Sequence, residues 1–580
     1  MKRILLLPVI SVFMAVIPIS KATAQTVWHN PEDAGINLIQ GQAYDGQERE
    51  SFYHRFPKSV EGKVRPRVWG QSRQTAGESI VFTTDAKNIY IRYGVSLPVD
   101  KLHMPATGVS GIDLYTHDRN GGEVWLAGKF EFADTLTYRF RSIEIADKPK
   151  KAQRYTLFLP LYNEVMWMEV GTEKGASFRF EPVLPAKPIV AYGTSICQGA
   201  SASRPGMAWT NILQRRLGTE VVNLGVSGAA MLESEVIDLV AQVDAKAYII
   251  DAMPNAAKMK LEVLKDTLAK ALRQLRTARP EVPIILADHL GYPHSKASKS
   301  RKENETRAWE AQKYVYAQLV AEGMKGLYHL TYEQLAMPQD AWVEGVHPSD
   351  YGMSVYAGAY EKMLREVLHM PAGDVKTTVP VTQQRDPYIW MDRHAHILRE
   401  GSGKHFTRVL IGDSIMHFWG GADDAPATNG PKTWEGFKGT SFNMGCGYDK
   451  VENVLWRIYN GQLDGLTADK IFLAIGTNNF RSPEDSEDIM KGLSMLIDAI
   501  AVRRPEAELT LMAVLPRRGK EAQIKDLNKL YKAMAKEKGI GFADPGKVLL
   551  TRDGKVDESL FTDGLHPNED GYSRIAPWFE

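Results

Sequence analysis

Two matching stretches decide the fold: residues 189–195 read IVAYGTS and residues 409–414 read VLIGDS. Each runs a short apolar segment into a glycine and then a serine. After the first stretch, short apolar runs alternate with long amphipathic segments, with strands expected at 221–224, 248–250 and 284–287 and helices at 264–279 and 306–322. This alternation predicts an α/β domain in which helices cover both faces of a parallel sheet.

The second half of the chain repeats this rhythm. Residues 409–411, 471–475 and 509–514 are typical of buried strands, and residues 489–503 and 524–536 are typical of helices. We therefore predict two doubly wound α/β domains in tandem.

A different pattern precedes them. Residues 79–83, 88–93, 155–159 and 165–170 alternate with period two, are rich in β-branched and aromatic residues, and are separated by turn residues. This predicts an all-β sandwich at residues 25–185. The first α/β domain is expected at 186–370, an aperiodic linker rich in Pro, Gly and Thr at 371–388, and the second α/β domain at 389–580.

Composition excludes several classes of function. The chain has 580 residues, with 71 Lys and Arg against 70 Asp and Glu, so it lacks the basic excess that nucleic-acid binding requires. Its two cysteines, Cys197 and Cys446, build neither a disulfide framework nor a zinc cluster.

The first 24 residues have the pattern of a secretory signal peptide. A basic start at residues 2–3 precedes an apolar run at 4–19, and residues 22–24 read ATA, a small-residue cleavage site. We expect cleavage after Ala24. The alternative is an uncleaved anchor helix, which the shortness of the run and its two prolines disfavour. No later stretch is apolar enough to span a membrane, so we expect a periplasmic or secreted protein with no integral membrane segment after cleavage.

Both α/β repeats place a serine where parallel sheets bind ligands. Ser195 and Ser414 each follow a strand and a glycine. Outside the carboxyl ends of parallel strands, such a side chain faces the crevice, near helix amides. A serine at a strand-to-helix turn is more often only a helix cap, so the serine alone does not decide the function.

A histidine near the end of each half supplies the base that a serine nucleophile needs. Glu344 precedes His347 by three residues, and Asp563 precedes His566 by three. Such a carboxylate turns back to hold one ring nitrogen while the other nitrogen faces the serine. Each serine lies 152 residues before its histidine, so the spacing predicts two copies of one catalytic domain.

Asparagines in the middle of each half are candidates for an oxyanion hole. Asn255 and Asn478 each follow a buried strand, where an amide donor stabilises a developing alkoxide. We expect a second donor from the turns at 223–228 and 443–448.

With these residues in order, the sequence resembles the SGNH, or GDSL-type, hydrolases, named for Ser, Gly, Asn and His in four blocks. Residues 476–479, GTNN, and 452–457, ENVLWR, resemble the platelet-activating-factor acetylhydrolase-like branch. Residues 111–115, GIDLY, resemble the GxDLY domain that precedes some secreted SGNH esterases. The resemblance covers most of the chain after residue 24. It implies flavodoxin-like α/β domains behind a jelly-roll-like β-sandwich.

The resemblance implies a role for each matched residue. The serine is the nucleophile, the histidine its base, the acid orients the histidine, and the glycine and asparagine complete the oxyanion hole with the serine amide. In the first copy these residues are Ser195, His347, Glu344, Gly228 and Asn255. In the second they are Ser414, His566, Asp563, the turn around Gly447 and Tyr448, and Asn478. Glu344 stands where Asp is usual in the family, and Asp350 is an alternative partner for His347.

We expect an exported serine esterase that removes O-acetyl groups from polysaccharide or oligosaccharide, as the resemblance implies. Its expected partner is that acetylated carbohydrate, and no nucleic acid. No metal or organic cofactor is expected, because His394, His396 and His405 lack carboxylate or cysteine partners at ligand spacing. The lysine-rich run at 296–302 is expected to be a solvated loop.

Two other functions stay open. The chain is alternatively a lipid acyl hydrolase of the lysophospholipase kind, which predicts a broad apolar entrance and a preference for long acyl chains. Alternatively, one half is a non-catalytic carbohydrate-binding module, with the first half as the candidate because of Glu344.

Overall fold

The computed structural model describes residues 25–44, 46–145, 152–386 and 388–580. The predicted signal peptide at residues 1–24 lies outside the described residues. The described chain forms an antiparallel β domain followed by two domains built on parallel five-stranded sheets. The predicted fold class is therefore confirmed.

The β domain consists mainly of antiparallel strands. Its elements are β1 Thr26–His29, β2 Ile39–Gln40, α1 Pro66–Ser72, β3 Ser79–Thr84, β4 Ile89–Val95, α2 Ala106–Val109, β5 Asp113–His117, β6 Glu123–Leu126, β7 Lys129–Phe132, β8 Leu136–Phe140, β9 Gln153–Phe158, β10 Val165–Glu173 and β11 Phe178–Phe180. Strands β4 and β8 alternate buried and more exposed side chains, while β3 is buried throughout. One sheet has the order β1-β10-β4-β8-β7, and the other has the order β11-β3-β9-β5-β6, with β2 paired to β3.

The two antiparallel sheets share one hydrophobic core, which makes the domain a sandwich. Ile89 and Ile91 of β4 pack in this core with Phe82 of β3 and Leu114 of β5. Facing sheets that bury alternate residues of each strand are the standard solution for such a pattern.

The first α/β domain has the sheet order β13-β12-β14-β15-β16, with parallel pairing throughout. Its elements are β12 Ile189–Gly193, α3 Ser195–Gln198, α4 Trp209–Leu217, β13 Val221–Gly225, α5 Ser234–Gln242, β14 Ala247–Asp251, α6 Met253–Ala256, α7 Leu261–Ala278, β15 Ile284–Ala287, α8 Lys299–Ala321, β16 Leu327–Leu330, α9 Tyr332–Leu335 and α10 Asp350–Val367.

The central strand of this domain is buried on both faces, which is why its sequence is apolar without alternation. Val190 and Tyr192 lie in one core, and Ile189 and Ala191 lie in another on the opposite face of the sheet.

The second α/β domain repeats the topology with the order β18-β17-β19-β20-β21. Its elements are α11 Trp390–Gly401, β17 His405–Gly412, α12 Ser414–His417, α13 Pro431–Trp434, β18 Ser441–Gly445, α14 Val451–Tyr459, β19 Thr467–Ala474, α15 Ser486–Arg503, β20 Glu508–Met512, α16 Glu521–Lys538, β21 Gly541–Ala543 and α17 Glu569–Ile575.

The prediction of a solvated loop at residues 296–302 is wrong. A 3₁₀ turn covers Ser295–Ala297, and helix α8 begins at Lys299. The polar residues of this run form the first turn of α8, whose inner face is buried further along at Ala308 and Val315. Among the described residues, every helix is too short or too polar to cross a bilayer.

Candidate active sites

Each predicted nucleophile is the first residue of a short helix after the central strand. Ser195 begins α3, and Thr194 Oγ1 accepts a hydrogen bond from the amide two residues later at 3.3 Å. Ser414 begins α12, and Asp413 Oδ1 accepts the corresponding bond at 2.9 Å. Burial raises the pKa of Asp413 to about 7. The local chain therefore turns sharply and presents each serine at the carboxyl edge of its sheet.

The first site brings three predicted residues into a connected triad. Ser195 Oγ lies 2.8 Å from Nε2 of His347. The Nδ1 atom of His347 is hydrogen-bonded to Oε1 of Glu344, and the same oxygen accepts from the His347 amide at 2.9 Å. The carboxylate thus fixes both the ring and the backbone of the base, and directs Nε2 at the nucleophile.

The second site has the same arrangement. His566 Nε2 lies 2.9 Å from Ser414 Oγ, and His566 Nδ1 lies 2.7 Å from Asp563 Oδ2. Asp563 Oδ1 also accepts from the amides of Leu565 and His566 at 2.9 and 2.8 Å. Partial burial raises the pKa of Asp563, but these hydrogen bonds outweigh it and hold the pKa below its usual value. The carboxylate is therefore ionised when it orients the histidine.

Glu344 holds His347 in the same way as the usual aspartate would, even though the glutamate side chain is longer than that of aspartate. The alternative partner, Asp350, does not take part, because its carboxylate accepts from the amide of Ser203 at 2.8 Å and from the Ser203 hydroxyl.

The base of the first site is shielded from water. The side chain of His347 is 16% exposed, and burial lowers its pKa, although Glu344 acts in the opposite direction. A further histidine, His103, stacks on the His347 ring with centroids 5.3 Å apart and contributes to the lowering. Because its pKa is lowered, His347 stays neutral, as a general base must be, down to a pH below the usual pKa of histidine.

The oxyanion turns of the two sites share one backbone conformation. Gly225 and Gly445 end β13 and β18, and each pairs with the glycine that ends the nucleophile strand. Three residues further on, Gly228 has φ +66° and Tyr448 has φ +65°. The two residues are thus equivalent, and Tyr448 adopts a left-handed conformation that glycine accepts far more easily.

The turn around Gly447 and Tyr448 is the predicted source of the backbone donor in the second site, and the Gly447 amide of that turn is engaged elsewhere. This N–H donates to Nδ1 of His417 at 3.1 Å, so this amide already has an acceptor. The equivalent amide in the first site, that of Ser227, donates to Oε1 of Gln198 at 3.0 Å. The donor position in the second site is therefore Tyr448, which follows the engaged amide.

The two predicted asparagines are also equivalent. Asp251 and Ala474 pair with the glycines that end β12 and β17, and Asn255 and Asn478 each lie four residues further along the chain. Both asparagines are half-buried. The strand register thus explains why they occupy matching places although the segments around them differ in sequence.

Each asparagine is anchored to its oxyanion turn. Asn255 Oδ1 accepts from the amide of Ala230 at 3.2 Å, which leaves both of its N–H groups as donors. Asn478 Nδ2 donates one hydrogen to the carbonyl of Asp449 at 2.9 Å, which leaves its second hydrogen. In both sites a side-chain amide therefore faces the same turn as the backbone donor.

Several residues around the first site were not predicted from the sequence. His103 comes from the β domain, in the turn before α2, and Arg67 comes from α1 of the same domain. Arg67 Nε donates to the carbonyl of Ser227 at 3.1 Å, and its guanidinium covers Gly228. Neither residue belongs to a family block, and only the packing of the β domain on the first α/β domain brings them to the site.

The second site likewise receives residues from outside its own sheet. Tyr388 Oη and Gln383 Nε2, both from the linker region, donate to the carbonyl of Gly447 at 2.7 and 3.4 Å. His417 and Gln198, which hold the oxyanion turns, carry a weak signal in the sequence, because each lies three residues after its serine.

This geometry defines a class of protein. Two parallel-sheet domains each combine a serine, a histidine directed at it, a carboxylate behind the histidine, and an oxyanion turn with an asparagine. This arrangement is the one that acyl transfer through a serine nucleophile requires, and it is typical of serine hydrolases.

Comparison with known proteins agrees with this class. The residues 26–178 match the GxDLY family, described as the N-terminus of Esterase_SGNH_hydro-type. Residues 186–365 and 410–574 each match a GDSL-like Lipase/Acylhydrolase family. The chain belongs to the GDSL, or SGNH, hydrolases: it is a carboxylic ester hydrolase with a GxDLY domain followed by two GDSL/SGNH domains.

Individual relatives share between 25% and 29% sequence identity with the chain. The Homo sapiens platelet-activating factor acetylhydrolase IB subunit alpha2 is 25% identical over 194 residues, which cover 32% of this chain and 80% of that protein. Subunit alpha1 of the same organism is 26% identical over 204 residues, covering 34% and 84%. A structure from Bacteroides ovatus ATCC 8483, described as a GDSL-like lipase, is 29% identical with a TM-score of 0.54, and covers 60% of this chain and 98% of that one.

Proposed function

We propose that this protein is an exported esterase that removes O-acetyl groups from polysaccharide or oligosaccharide, and that both of its sites are catalytic. In each site the serine hydroxyl attacks the ester carbonyl while histidine Nε2 takes its proton. The histidine returns the proton to the departing alcohol, which leaves an acetyl-serine. Water, deprotonated by the same histidine, then attacks the acetyl group, and acetate and free serine result.

Tyr448 is the observation that carries the carbohydrate part of this proposal. Its ring is 47% exposed, and it sits at a left-handed backbone position in the oxyanion turn of the second site. A non-glycine residue in this conformation costs of order 1–3 kcal/mol, and such residues cluster at functional sites. An exposed aromatic face at the mouth of the site suits a sugar ring, whose apolar face packs against it.

Phe418 adds a second aromatic ring on the histidine side of that mouth. Its ring centroid lies 5.1 Å from that of His566. A substrate bound between Phe418 and Tyr448 has its ester next to Ser414, since one ring contacts the base and the other belongs to the oxyanion turn.

The acetyl group is supported by the names of the relatives, which are acetylhydrolases. Export is supported by the signal-like pattern of residues 1–24. Hydrolysis of a lipid ester is the second candidate, because those same relatives are named for platelet-activating factor.

The test is acetate release from a panel of acetylated plant polysaccharides by the wild type, Ser195→Ala, Ser414→Ala and the double variant. We expect each single variant to lose a different part of the released acetate and the double variant to lose all of it. A silent site, with unchanged release in its variant, would instead mark that half as a binding module. Hydrolysis of long-chain esters without acetate release would favour the lipid ester.

A further inference from the structure

The oxyanion turn of the second site is held at both backbone polar groups of Gly447. The N–H of Gly447 donates to Nδ1 of His417 at 3.1 Å, and its carbonyl accepts from Oη of Tyr388 at 2.7 Å. Nε2 of Gln383 donates to the same carbonyl at 3.4 Å. The Tyr388 ring also packs edge-on against the His417 ring, with centroids 5.2 Å apart. Two side chains in mutual contact therefore hold this residue from its two ends.

The first site holds the equivalent residue, Ser227, in the same way but with different side chains. The N–H of Ser227 donates to Oε1 of Gln198 at 3.0 Å, and its carbonyl accepts from Nε of Arg67 at 3.1 Å. Gln198 is held in turn by Gln74, whose Oε1 accepts from Gln198 Nε2 at 2.5 Å. Arg67 and Gln74 belong to the β domain, so this turn is fixed from outside the domain that carries the triad.

The carbonyl that is held belongs to the same peptide unit as the backbone donor of the oxyanion hole. The carbonyl carbon of Gly447 is bonded to the amide nitrogen of Tyr448, and that of Ser227 to the amide nitrogen of Gly228. A peptide unit is planar and almost always trans, so its C=O and N–H groups point in opposite directions. A side chain that fixes the carbonyl therefore also fixes the direction of the N–H. A hydrogen bond to the carbonyl further polarises the unit and makes its N–H a stronger donor.

The conformation of both turns makes this support important. Tyr448 has φ +65°, and a residue other than glycine persists in this region only where the surrounding structure holds it there. Gly228 has φ +66°, and a glycine has many other conformations open to it. An oxyanion donor is effective because its direction is set before the reaction begins. Each site therefore gains from a side chain that fixes the peptide unit from the side opposite the substrate.

The linker that holds Gly447 is itself attached to the β domain. Gln384, which follows Gln383, donates from Nε2 to the carbonyl of His117 at 2.8 Å, and its Oε1 accepts from the backbone amide of Arg154 at 3.3 Å. The β domain thus supports the second oxyanion turn through the linker, whereas it supports the first turn directly.

We propose that Arg67 and Tyr388 are positioning residues for ester hydrolysis, each acting through the peptide unit that carries the oxyanion donor of its site. Each side chain holds the carbonyl of that unit and so directs the N–H at the oxygen on which negative charge develops in the transition state. A guanidinium does this at one site and a phenol hydroxyl at the other. The inference rests on the proposed function only in taking both sites to be catalytic, and the alcohol part of the ester plays no role in it.

The test measures hydrolysis of phenyl acetate by one site at a time, with Ser414→Ala to isolate the first site and Ser195→Ala to isolate the second. In the second site, Tyr388→Phe removes the hydroxyl and keeps the ring, and kcat should fall about tenfold because the lost bond is short and shielded. In the first site, Arg67→Met should lower kcat about threefold, because the lost bond is longer and exposed. KM should change less than about twofold in both, since the donor acts on the transition state.

Matched variants control for the loss of a side chain. Tyr459→Phe removes another tyrosine hydroxyl of the second α/β domain, which donates to the carbonyl of Pro371 at 2.9 Å. Arg73→Met removes another arginine of the β domain, at the end of α1. Both controls should leave kcat of the respective site within about twofold. Arg67→Lys keeps a donor on a long side chain and should recover part of the rate that Arg67→Met loses.

A second measurement separates positioning from a general loss of structure. Phenylboronic acid adds to a serine hydroxyl to give a tetrahedral adduct that resembles the transition state, so its affinity should weaken by the same factor as kcat/KM falls. Unchanged kcat in both variants, an equal fall in the matched controls, or unchanged boronic acid affinity beside a lower kcat would overturn the proposal. If one single-serine variant hydrolyses no phenyl acetate, the proposed function fails for that site, and the rates and affinities at the other site decide the positioning role.

Discussion

Gly228 combines a left-handed backbone conformation with close packing against Arg67, so we expect Gly228→Ala to damage the first site through two separate costs. The residue has φ +66°, where an L-amino acid costs about 1–2 kcal/mol relative to glycine. The new Cβ would also lie 2.5 Å from Arg67 Nη2, and Arg67 must move away. If Arg67 moves only part of the way, the close contact displaces the Gly228 amide, which is the backbone donor of the oxyanion turn.

The expected magnitudes follow from these costs. Conformational stability, measured by urea unfolding, should fall by about 1–2 kcal/mol. Loss of a whole oxyanion donor costs about 10²- to 10³-fold, and a shifted donor costs part of that, so kcat/KM of the first site on phenyl acetate should fall about tenfold. The assay uses the Ser414→Ala background, which reports on the first site alone.

Two further variants separate the costs. Adding Arg67→Ala to Gly228→Ala removes the close contact and should recover part of the rate but none of the stability. Tyr448→Ala in the Ser195→Ala background is the matched control for the backbone cost alone, because that position already carries a Cβ in the same conformation, so the free energy of unfolding should fall by less than about 1 kcal/mol although contacts of the ring with substrate are lost. The reasoning is refuted if Gly228→Ala leaves both the stability and the rate unchanged.

Three other outcomes are expected. Glu344→Gln and Asp563→Asn should each lower kcat/KM of their own site about 10³- to 10⁴-fold without unfolding the protein, and a small effect of the glutamate variant alone would show that another group orients its base. Because burial lowers the pKa of His347, the base loses its proton acceptor capacity only at a pH below its ordinary value of about 6.5, so the acid limb of the pH–rate profile of the first site should have its midpoint below that pH; a midpoint above it contradicts the assignment. Arg457→Met leaves the fully buried carboxylate of Asp449 without its ion-pair partner and should cost about 3–5 kcal/mol in urea unfolding, whereas a loss under about 1 kcal/mol would contradict the buried pair.

The fold was predictable because its signals are local. Uninterrupted apolar runs such as 189–192 are buried on both faces of a parallel sheet, whereas the alternating pattern at 88–93 is buried on one. The run at 296–302 misled the prediction because its composition is that of a loop, and its helix is stabilised only by later residues that pack inward.

The triads were predictable for a similar reason. The carboxylate and histidine of each site lie three residues apart, and one turn of chain joins them. The longer side chain of Glu344 did not upset the prediction of the triad, because its loop still brings the carboxylate into hydrogen-bond contact with His347 Nδ1.

The oxyanion turns, and the residues from other parts of the chain that surround each site, were harder to predict from the sequence. Whether Gly447 or Tyr448 provides the donor depends on a hydrogen bond to His417, whose only trace in the sequence is its position three residues after Ser414. His103 and Arg67 reach the first site only through the packing of one domain on another, and such contacts leave no periodic trace in the sequence.

The β domain contributes differently to the two sites, which has a consequence for modularity. At the second site the described side chains come from the domain itself and from the linker before it, and the β domain supports that linker, for example by holding Arg385 through the carbonyl of Arg119. The first unit needs α1 and the turn at His103, more than a hundred residues upstream of its base. The surroundings of the second site can therefore be altered by substitutions in its own domain and linker, whereas those of the first can also be altered by substitutions in the β domain.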